Sequence, residues 1–258
     1  MTTLLTESKN HVHIITLNRA DKHNAFDDTL LAELQLTLDK AIADPAIRVI
    51  VLKANGRHFS AGADLAWMQR MAHLNETENL ADARVLARVM HTLHQSPKPT
   101  IAIVQGAAYG GGAGLIAACD ITIATHSAKF CFSEVKLGLI PAVISPYVIQ
   151  AIGARAATWL FMSAEVINAQ RALELHLIQH CVAEEELQTY ALHYAQQLAM
   201  LAPGAVRASK ALVRQITGLP IDDQLQHLTA TLIAKQRVSA EGQLGLQAFL
   251  NKETPTWS

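Results

Sequence analysis

The chain has 258 residues, half of them hydrophobic, and its 21 basic and 22 acidic side chains leave a formal charge of −1 at pH 7. A chain of this length and apolar content can bury a sizeable core as one domain. The balanced charge excludes a strong overall basic field of the kind that gathers nucleic acid.

The first hundred residues alternate β-branched segments with segments of helical apolar spacing. β-Branched runs favour strands, whereas apolar residues three and four positions apart favour an amphipathic helix. The pattern predicts a strand over 12–17, a helix over 28–43, a strand over 47–54, a helical region broken near Asn75 and a helix over 79–95.

The middle of the chain continues in strands, and the last part is almost wholly helical. We predict a strand over 100–105, a short helix from Gly111 to Ala118, and strands over 121–125 and 128–132. Helices are predicted after Pro146, over 146–152, 155–162, 168–175, 184–201, 203–217, 221–238 and 240–251. Mixed strand and helix units followed by helices indicate an α/β core with a helical C-terminal part.

A glycine-rich turn between the strand at 100–105 and the short helix is the most informative segment. Three successive glycines, Gly110 to Gly112, leave backbone amides uncovered at a helix N-terminus, which favours an anion. Glu134 follows twenty residues beyond Gly114, in an otherwise apolar segment. Preorganised donors beside one carboxylate are suited to making and breaking an enolate.

Two other interpretations of this turn remain open. Gly112-x-Gly114-x-x-Ala117 fits the loose dinucleotide-binding fingerprint, with Glu134 as the ribose-binding acid. That fingerprint normally lies in the first strand–turn–helix unit of its domain, whereas two such units precede this turn. The glycines could instead only let a helix pack closely on a strand.

A second loop of small residues follows the strand at 47–54 and reads Ser60-Ala-Gly-Ala-Asp-Leu65. It also leaves backbone amides open. Two amides from separate loops can converge on one oxygen, which a single loop cannot easily arrange. The two loops together therefore favour an oxyanion hole.

Four segments in this order resemble the enoyl-CoA hydratase/isomerase family, or crotonase superfamily. They are 18–25, 55–65, 104–115 and 132–141. The resemblance runs from about Val12 to Trp257. It implies a spiral of ββα turns over 1–195 and a helical region over 196–258 that makes trimer contacts, with trimers often pairing into hexamers.

The resemblance also implies the catalytic residues. Ala63 and Gly111 match the two positions whose amides hold the thioester oxygen, and Glu134 matches the catalytic glutamate. The apolar neighbours of Glu134 are expected to raise the pKa of its carboxyl toward the range useful for acid–base catalysis.

Coenzyme A contacts follow from the same resemblance. Family members line the adenine with backbone that corresponds here to Ala61, Ala63, Asp64 and Leu65. Lys22 and His23 lie where phosphate or ribose contacts are often found. Phe249 and Lys252 match positions that can reach a neighbouring subunit's cofactor. We expect no permanently bound cofactor, since coenzyme A arrives as part of the thioester.

One position departs from the pattern of the best-known hydratases, which carry a second glutamate where this chain has Gly114. A scheme in which two acids hold the attacking water therefore cannot operate unchanged. Members with only the later glutamate include Δ3,Δ2-enoyl-CoA isomerases. The segments at 61–72 and 133–147, however, look most like bacterial methylglutaconyl-CoA hydratases.

Other residue patterns carry less weight. His11 with His13 and His91 with His94 lack a cysteine or carboxylate partner at metal-site spacing, so no metal is expected. Arg84 and Arg88 form only a weak basic stripe, which argues against nucleic acid.

The cysteines and the N-terminal segment bear on the compartment. Cys119, Cys131 and Cys181 are odd in number and form no close pair, which favours free thiols. The N-terminus lacks a signal-peptide profile and no apolar run reaches membrane-spanning length. We therefore expect a soluble, cytoplasmic protein.

The leading hypothesis is an acyl-CoA lyase that adds water to a 2-enoyl-CoA, with 3-methylglutaconyl-CoA or a related branched enoyl-CoA as substrate. The alternatives are an isomerase and, from another class, a non-catalytic acyl-CoA or RNA-binding protein. The last would be indifferent to loss of Glu134.

Overall fold

Residues 2–257 are described by a computed structural model and contain nine strands and ten α-helices. The strands are β1 (Leu4–Lys9), β2 (Val12–Leu17), β3 (Val49–Ala54), β4 (Thr100–Val104), β5 (Ala107–Tyr109), β6 (Ile121–Thr125), β7 (Lys129–Cys131), β8 (Ile167–Asn168) and β9 (His180–Val182). The larger sheet has the order β1-β2-β3-β4-β6-β9, and the smaller sheet has the order β5-β7-β8.

The helices surround these sheets and dominate the second half of the chain. They are α1 (Asp28–Ala43), α2 (Leu65–Met71), α3 (Glu76–Gln95), α4 (Gly111–Ala118), α5 (Ser145–Ser163), α6 (Ala169–Glu174), α7 (Leu187–Ala199), α8 (Pro203–Ile216), α9 (Asp223–Val238) and α10 (Ala240–Asn251). Short 3-10 turns lie at Ala20–Lys22 and Glu134–Leu137.

The order of the elements is a repeated ββα spiral, as predicted. The turns that start with β4 and β6 each send one strand to the larger sheet and a second to the smaller one, so that β4 pairs with β6 and β5 pairs with β7, both in parallel. The turn that starts with β3 has a single bridge, Ser60 to Ala108, in place of a second strand. The loop at 60–64 and the glycine turn consequently lie at corresponding places in successive turns.

The central strands of the larger sheet, β3, β4 and β6, are buried on both faces. In β3, Ile50 and Leu52 belong to the main core between the sheets and the helices, whereas Val49 and Val51 pack against α7. Alternation along a strand requires this separation, because successive side chains point to opposite faces. Continuous apolar strands of this kind are typical of parallel sheets covered by helices.

Predicted bounds hold to within two residues for α1, α4, α8, α9 and α10. Helix α3 begins three residues before its predicted start, because Asn75 and Glu78 form a capping box there. The helices predicted over 146–152 and 155–162 form one element, α5, interrupted by non-helical Gly153 with φ of +78°.

Four strands, β1, β5, β8 and β9, were not predicted from the sequence. Most of β1 is exposed, so its residues show no alternation, and it pairs with β2 through a tight turn with positive φ at Asn10 and His11. Strands β5, β8 and β9 have only two or three residues each, too few to show a period.

The C-terminal helices differ from the rest in burial. Helices α8 and α9 have no buried residue, and α10 has only Ala248. The predicted boundary between residues 195 and 196 falls within α7, and the division into two parts stays a prediction. No helix within residues 2–257 is long and apolar enough to cross a membrane.

Candidate active site

The loop at 60–64 and the glycine turn are held side by side by backbone hydrogen bonds. The Ser60 amide donates to the Ala107 carbonyl at 3.1 Å, and the Tyr109 amide donates to the Ser60 carbonyl at 3.0 Å. The two loops therefore keep a fixed relative position, which is what converging donors require.

The amides of Ala63 and Gly111 belong to residues that line the same cavity. Neither amide donates a hydrogen bond to another group within residues 2–257. Gly111 is the first residue of α4, where an N–H has no acceptor within the helix. Two unpaired amides at one cavity are suited to binding an oxyanion.

Two of the three successive glycines have separate structural reasons. Gly110 has a φ of +49°, which a side chain disfavours. At Gly111 a β-carbon would come within 2.4 Å of Cζ of Phe26, so a side chain there would displace either the ring or the amide. Phe26 therefore sets the position of Gly111, a role that the sequence analysis did not assign.

Glu134 lies beside the glycine turn because its own turn follows β7 directly. The Gly110 amide donates to the Cys131 carbonyl at 2.8 Å, which ties the end of β7 to the turn. A β-carbon placed at Gly110 would lie 3.3 Å from Oε1 of Glu134. Glu134 also lines the cavity that Ala63 and Gly111 line.

The Glu134 carboxyl has the environment expected of an acid–base group. Its Oε2 is buried and has no hydrogen-bond partner among the described residues. Burial raises the pKa of Glu134 above its ordinary value, because the charged form is desolvated. A carboxyl with a raised pKa can both accept and return a proton near neutral pH.

The shared cavity has a volume of about 840 Å³ and a mainly apolar lining. Its walls come from α2, α3 and the segment that leads into α5. The apolar side chains of this wall are Phe26, Trp67, Met68, Met71, Leu74, Leu86, Leu137, Leu139, Ile140, Val143 and Ile144. The volume suits an acyl chain with part of its thioester arm.

Ile144 occupies the space that a side chain at position 114 would need. A β-carbon on Gly114 would come within 2.2 Å of Cγ2 of Ile144 and 3.1 Å of Cε of Met90. Gly114 lies inside α4 and does not have a positive φ. Position 114 therefore contributes no acid to this cavity, and the apolar Ile144 side chain occupies the space beside it.

Asp64 is committed to contacts within the chain. Its Oδ2 accepts from Arg19 at 2.8 Å and from Lys22 at 3.1 Å, and its Oδ1 caps α2 through the Ala66 amide. Burial alone would raise the pKa of Asp64, but the hydrogen bonds from Lys22 and Ala66 and the positive charges nearby hold it below its ordinary value. The Lys22 side chain is half exposed and forms an ion pair with Asp64.

The other residues expected to bind coenzyme A lie on the surface near this ion pair. His23 has a left-handed conformation, its ring packs edge-on against His58 at 5.1 Å, and its carbonyl accepts from the Ala61 amide. Leu65 is 77% exposed at the start of α2. The fold thus brings together four of the predicted coenzyme A contacts outside the cavity that Glu134 lines: Lys22, His23, Ala61 and Leu65.

Phe249 and Lys252 are not brought to this site within one chain. Phe249 is 78% exposed near the end of α10, and Lys252 ends that helix in a left-handed conformation. Neither residue lines the acyl cavity. Their predicted reach to a neighbouring subunit's cofactor stays a prediction.

The geometry contradicts the dinucleotide interpretation of the glycine turn. The turn belongs to the unit of β4, β5 and α4, and Glu134 lies next to it in a 3-10 turn, not at the end of a strand pointing toward a ribose. Within residues 2–257, no group of three His, Cys, Asp or Glu side chains is arranged to hold a metal ion.

Comparison with known proteins identifies the family of this chain. Residues 7–258 match the family described as enoyl-CoA hydratase/isomerase. The 2,3-dehydroadipyl-CoA hydratase of Escherichia coli is 33% identical over 99% of this chain and 98% of its own.

Two crystal structures show the same fold over nearly the whole chain. An enoyl-CoA hydratase/isomerase (crotonase) family protein from Legionella pneumophila is 60% identical over all of both chains, with a TM-score of 0.98. An enoyl-CoA hydratase from Shewanella pealeana is 44% identical over 99% of this chain and 96% of its own, with a TM-score of 0.95. The chain belongs to the enoyl-CoA hydratase/isomerase family of enzymes.

Proposed function

We propose that this enzyme adds water across the double bond of a 2-enoyl-CoA thioester. The observation that carries the proposal is that two unpaired amides, of Ala63 and Gly111, and one buried carboxyl with a raised pKa line a single apolar cavity. Preorganised donors of this kind stabilise negative charge as it develops on a thioester oxygen.

The proposed steps use only these groups and water. The ionised Glu134 carboxylate accepts a proton from water while the water oxygen bonds to C3 of the acyl chain. The electron pair of the C2–C3 double bond moves toward the thioester oxygen, where the Ala63 and Gly111 amides hold the resulting enolate. Glu134 then returns the proton to C2, which gives the 3-hydroxyacyl-CoA and regenerates the carboxylate.

The acyl group is a finer proposal. The sequence resemblance favours 3-methylglutaconyl-CoA or a related branched 2-enoyl-CoA. The Escherichia coli relative is named for another 2-enoyl-CoA, 2,3-dehydroadipyl-CoA. The methionine side chains of the cavity wall, Met68 and Met71, support a branched chain, because methionine adapts to irregular shapes.

A second candidate is an enoyl-CoA isomerase, and one observation favours it. Ile144 fills the space of a second acid, so Glu134 has no carboxylate opposite to help hold the attacking water. A single base that takes a proton from C2 and delivers one to C4 would move the double bond without water. The family description includes both activities.

Incubation with a panel of 2-enoyl- and 3-enoyl-CoA thioesters tests the proposal. Hydration removes the conjugated-enoyl absorbance and adds one water to the product mass. A shifted double bond at unchanged mass would identify an isomerase. Thioester binding without any turnover, unchanged by Glu134→Gln, would instead support a non-catalytic binding protein.

The remaining proposals concern coenzyme A and the subunits. The backbone at Ala61, Ala63, Asp64 and Leu65 is proposed to line the adenine, and Lys22 and His23 are proposed to meet phosphate or ribose. Phe249 and Lys252 are proposed to act across a subunit boundary. No resident cofactor is proposed, since coenzyme A enters with the substrate, and location in the cytoplasm stays a prediction.

The helical region over 196–258 is proposed to form the contacts of a trimer or a pair of trimers. The apolar side chains exposed there support this, because large exposed apolar surface commonly marks an interface. They include Val213, Leu219, Ile221, Ile233, Val238, Leu244, Leu246, Phe249 and Leu250. Light scattering on the eluted protein should give three or six times the mass of one chain, and a monomer would contradict the proposal.

A further inference from the structure

One face of α3 forms the wall of the acyl cavity. Asn79, Asp82, Ala83 and Leu86 line the cavity and have the spacing of a single helical face. Asp82 and Glu134 are the ionisable side chains among the described residues that line it, and none of those residues is a lysine, arginine or histidine. The cavity therefore holds two acids and no cation.

Asp82 is fixed in place by Trp67. The Trp67 Nε1–H donates to Oδ1 of Asp82 at 2.9 Å, and Trp67 is only 5% exposed. Trp67 also packs against Phe26, with ring centroids 6.3 Å apart, and Phe26 in turn contacts Gly111. The Asp82 carboxylate is thus held at a set position relative to the oxyanion hole.

The remaining polar side chain of this wall, that of Asn79, is neutral, and one of its two amide N–H groups is already engaged. The Asn79 Nδ2 donates to the Leu74 carbonyl at 2.9 Å. An anionic substrate terminus in this cavity would therefore meet the Asp82 carboxylate, apolar side chains and one neutral amide N–H, without a counter-charge to offset its desolvation.

We propose that Asp82 is a specificity-determining residue that admits neutral acyl chains and rejects chains that end in a carboxylate. This inference rests on the proposed function, since it concerns the acyl cavity of the same site. It narrows the substrates to neutral 2-enoyl-CoA thioesters, branched or straight. Of the acyl groups considered above, it favours the neutral branched ones over 3-methylglutaconyl and 2,3-dehydroadipyl groups.

Binding of saturated thioesters tests the inference without requiring turnover. Hexanoyl-CoA and adipyl-CoA have the same chain length and differ in the terminal carboxylate. Calorimetric titration of the full-length protein should give a dissociation constant for adipyl-CoA about 100-fold higher than that for hexanoyl-CoA, the order expected for like charges roughly 6 Å apart in a partly buried site.

Asp82→Asn supplies the direct test, because an asparagine oxygen can still accept from Trp67. This variant should narrow the ratio of the two dissociation constants at least tenfold by improving adipyl-CoA binding, with hexanoyl-CoA binding nearly unchanged. The control Asp39→Asn removes the same charge from an exposed position on α1 and should leave the ratio as it is in the wild type.

The outcomes separate this inference from the proposed function. A large wild-type ratio that Asp82→Asn narrows supports the inference, even if the reaction proves not to be hydration. Equal binding of both thioesters by the wild type, or an unchanged ratio in Asp82→Asn, would overturn it, even if crotonyl-CoA is hydrated. Failure of both thioesters to bind would overturn it as well.

Discussion

Two parts of the cavity, its reacting end and the wall formed by α2 and α3, differ in the groups that form them. At the proposed reacting end the donors are the backbone amides of Ala63 and Gly111, and their positions are set by loops and glycines. Along the α2–α3 wall the groups are side chains, such as those of Trp67 and Asp82. If both proposals hold, the chemistry depends on main-chain geometry, whereas acyl preference depends on replaceable side chains.

Loss of the acid should have the largest effect and should appear with every acyl chain. Glu134→Gln keeps the size of the side chain but removes the proton acceptor, so kcat should fall by about 10²–10⁴. Thioester binding should stay close to wild type, as titration with a saturated thioester would measure. A Glu134→Gln protein that turns over at the wild-type rate would contradict the mechanism.

Loss of one backbone N–H tests the reacting end of the cavity directly. Ala63→Pro removes the N–H and should lower kcat by about 10²–10³, the cost of one oxyanion donor. Ala63→Gly keeps the N–H and serves as the matched control. Circular dichroism should show that both variants remain folded. Near-full activity in a folded Ala63→Pro protein would refute the assignment of Ala63.

The apolar side chain facing Gly114 should act on stability more than on chemistry. Gly114→Ala should lower the free energy of unfolding by about 1–3 kcal/mol, because the new methyl group would overlap Ile144. Combining it with Ile144→Ala should recover part of the loss in urea unfolding. If the double variant is as unstable as the sum of the single changes, the overlap is not the cause.

The acid itself should carry a pH-dependent stability cost. Burial raises the folded-state pKa of Glu134 above its unfolded value, so the folded state binds more protons between those two values. Its unfavourable contribution is therefore absent below the unfolded pKa and complete above the folded pKa. Glu134→Gln should be more stable than the wild type at pH 8, with the difference shrinking as the pH falls through that interval.

Denaturant titrations at several pH values would measure this difference, with Glu184→Gln as an exposed control. An equal gain in both variants, or a gain that does not depend on pH, would argue against a buried, desolvated carboxyl. The pH profile of kcat should likewise be dominated by one carboxyl, that of Glu134. Position 114, where the best-known hydratases carry a second glutamate, is glycine in this chain.

The reacting end of the cavity was the part that the sequence could predict. Its groups lie in short contiguous motifs, and the match to a known family placed Ala63, Gly111 and Glu134, which the structure brings to one cavity. The ββα order was likewise predictable only from the match to the family, whereas the apolar strands by themselves indicated an α/β core.

The α2–α3 wall could not be predicted, because it depends on contacts between separate segments. Trp67 and Asp82 are fifteen residues apart and meet through one hydrogen bond. The sequence shows that Gly114 replaces an acid, but the overlap with Ile144 appears only once α4 and α5 are packed together. Strands of two or three residues could not be predicted for a related reason. They are too short to show a sequence period and exist only through pairing with a neighbouring strand.

Phe26 connects the reacting end of the cavity with the α2–α3 wall, since its ring fills the space beside Gly111 and also packs on Trp67. A redesign that enlarges the cavity by shortening Trp67 would loosen this ring and with it the proposed oxyanion hole. Acyl preference can be altered without loss of rate only at positions that do not touch Phe26. Substitutions along α3 are therefore the natural route by which relatives of this enzyme could change substrates while keeping their chemistry.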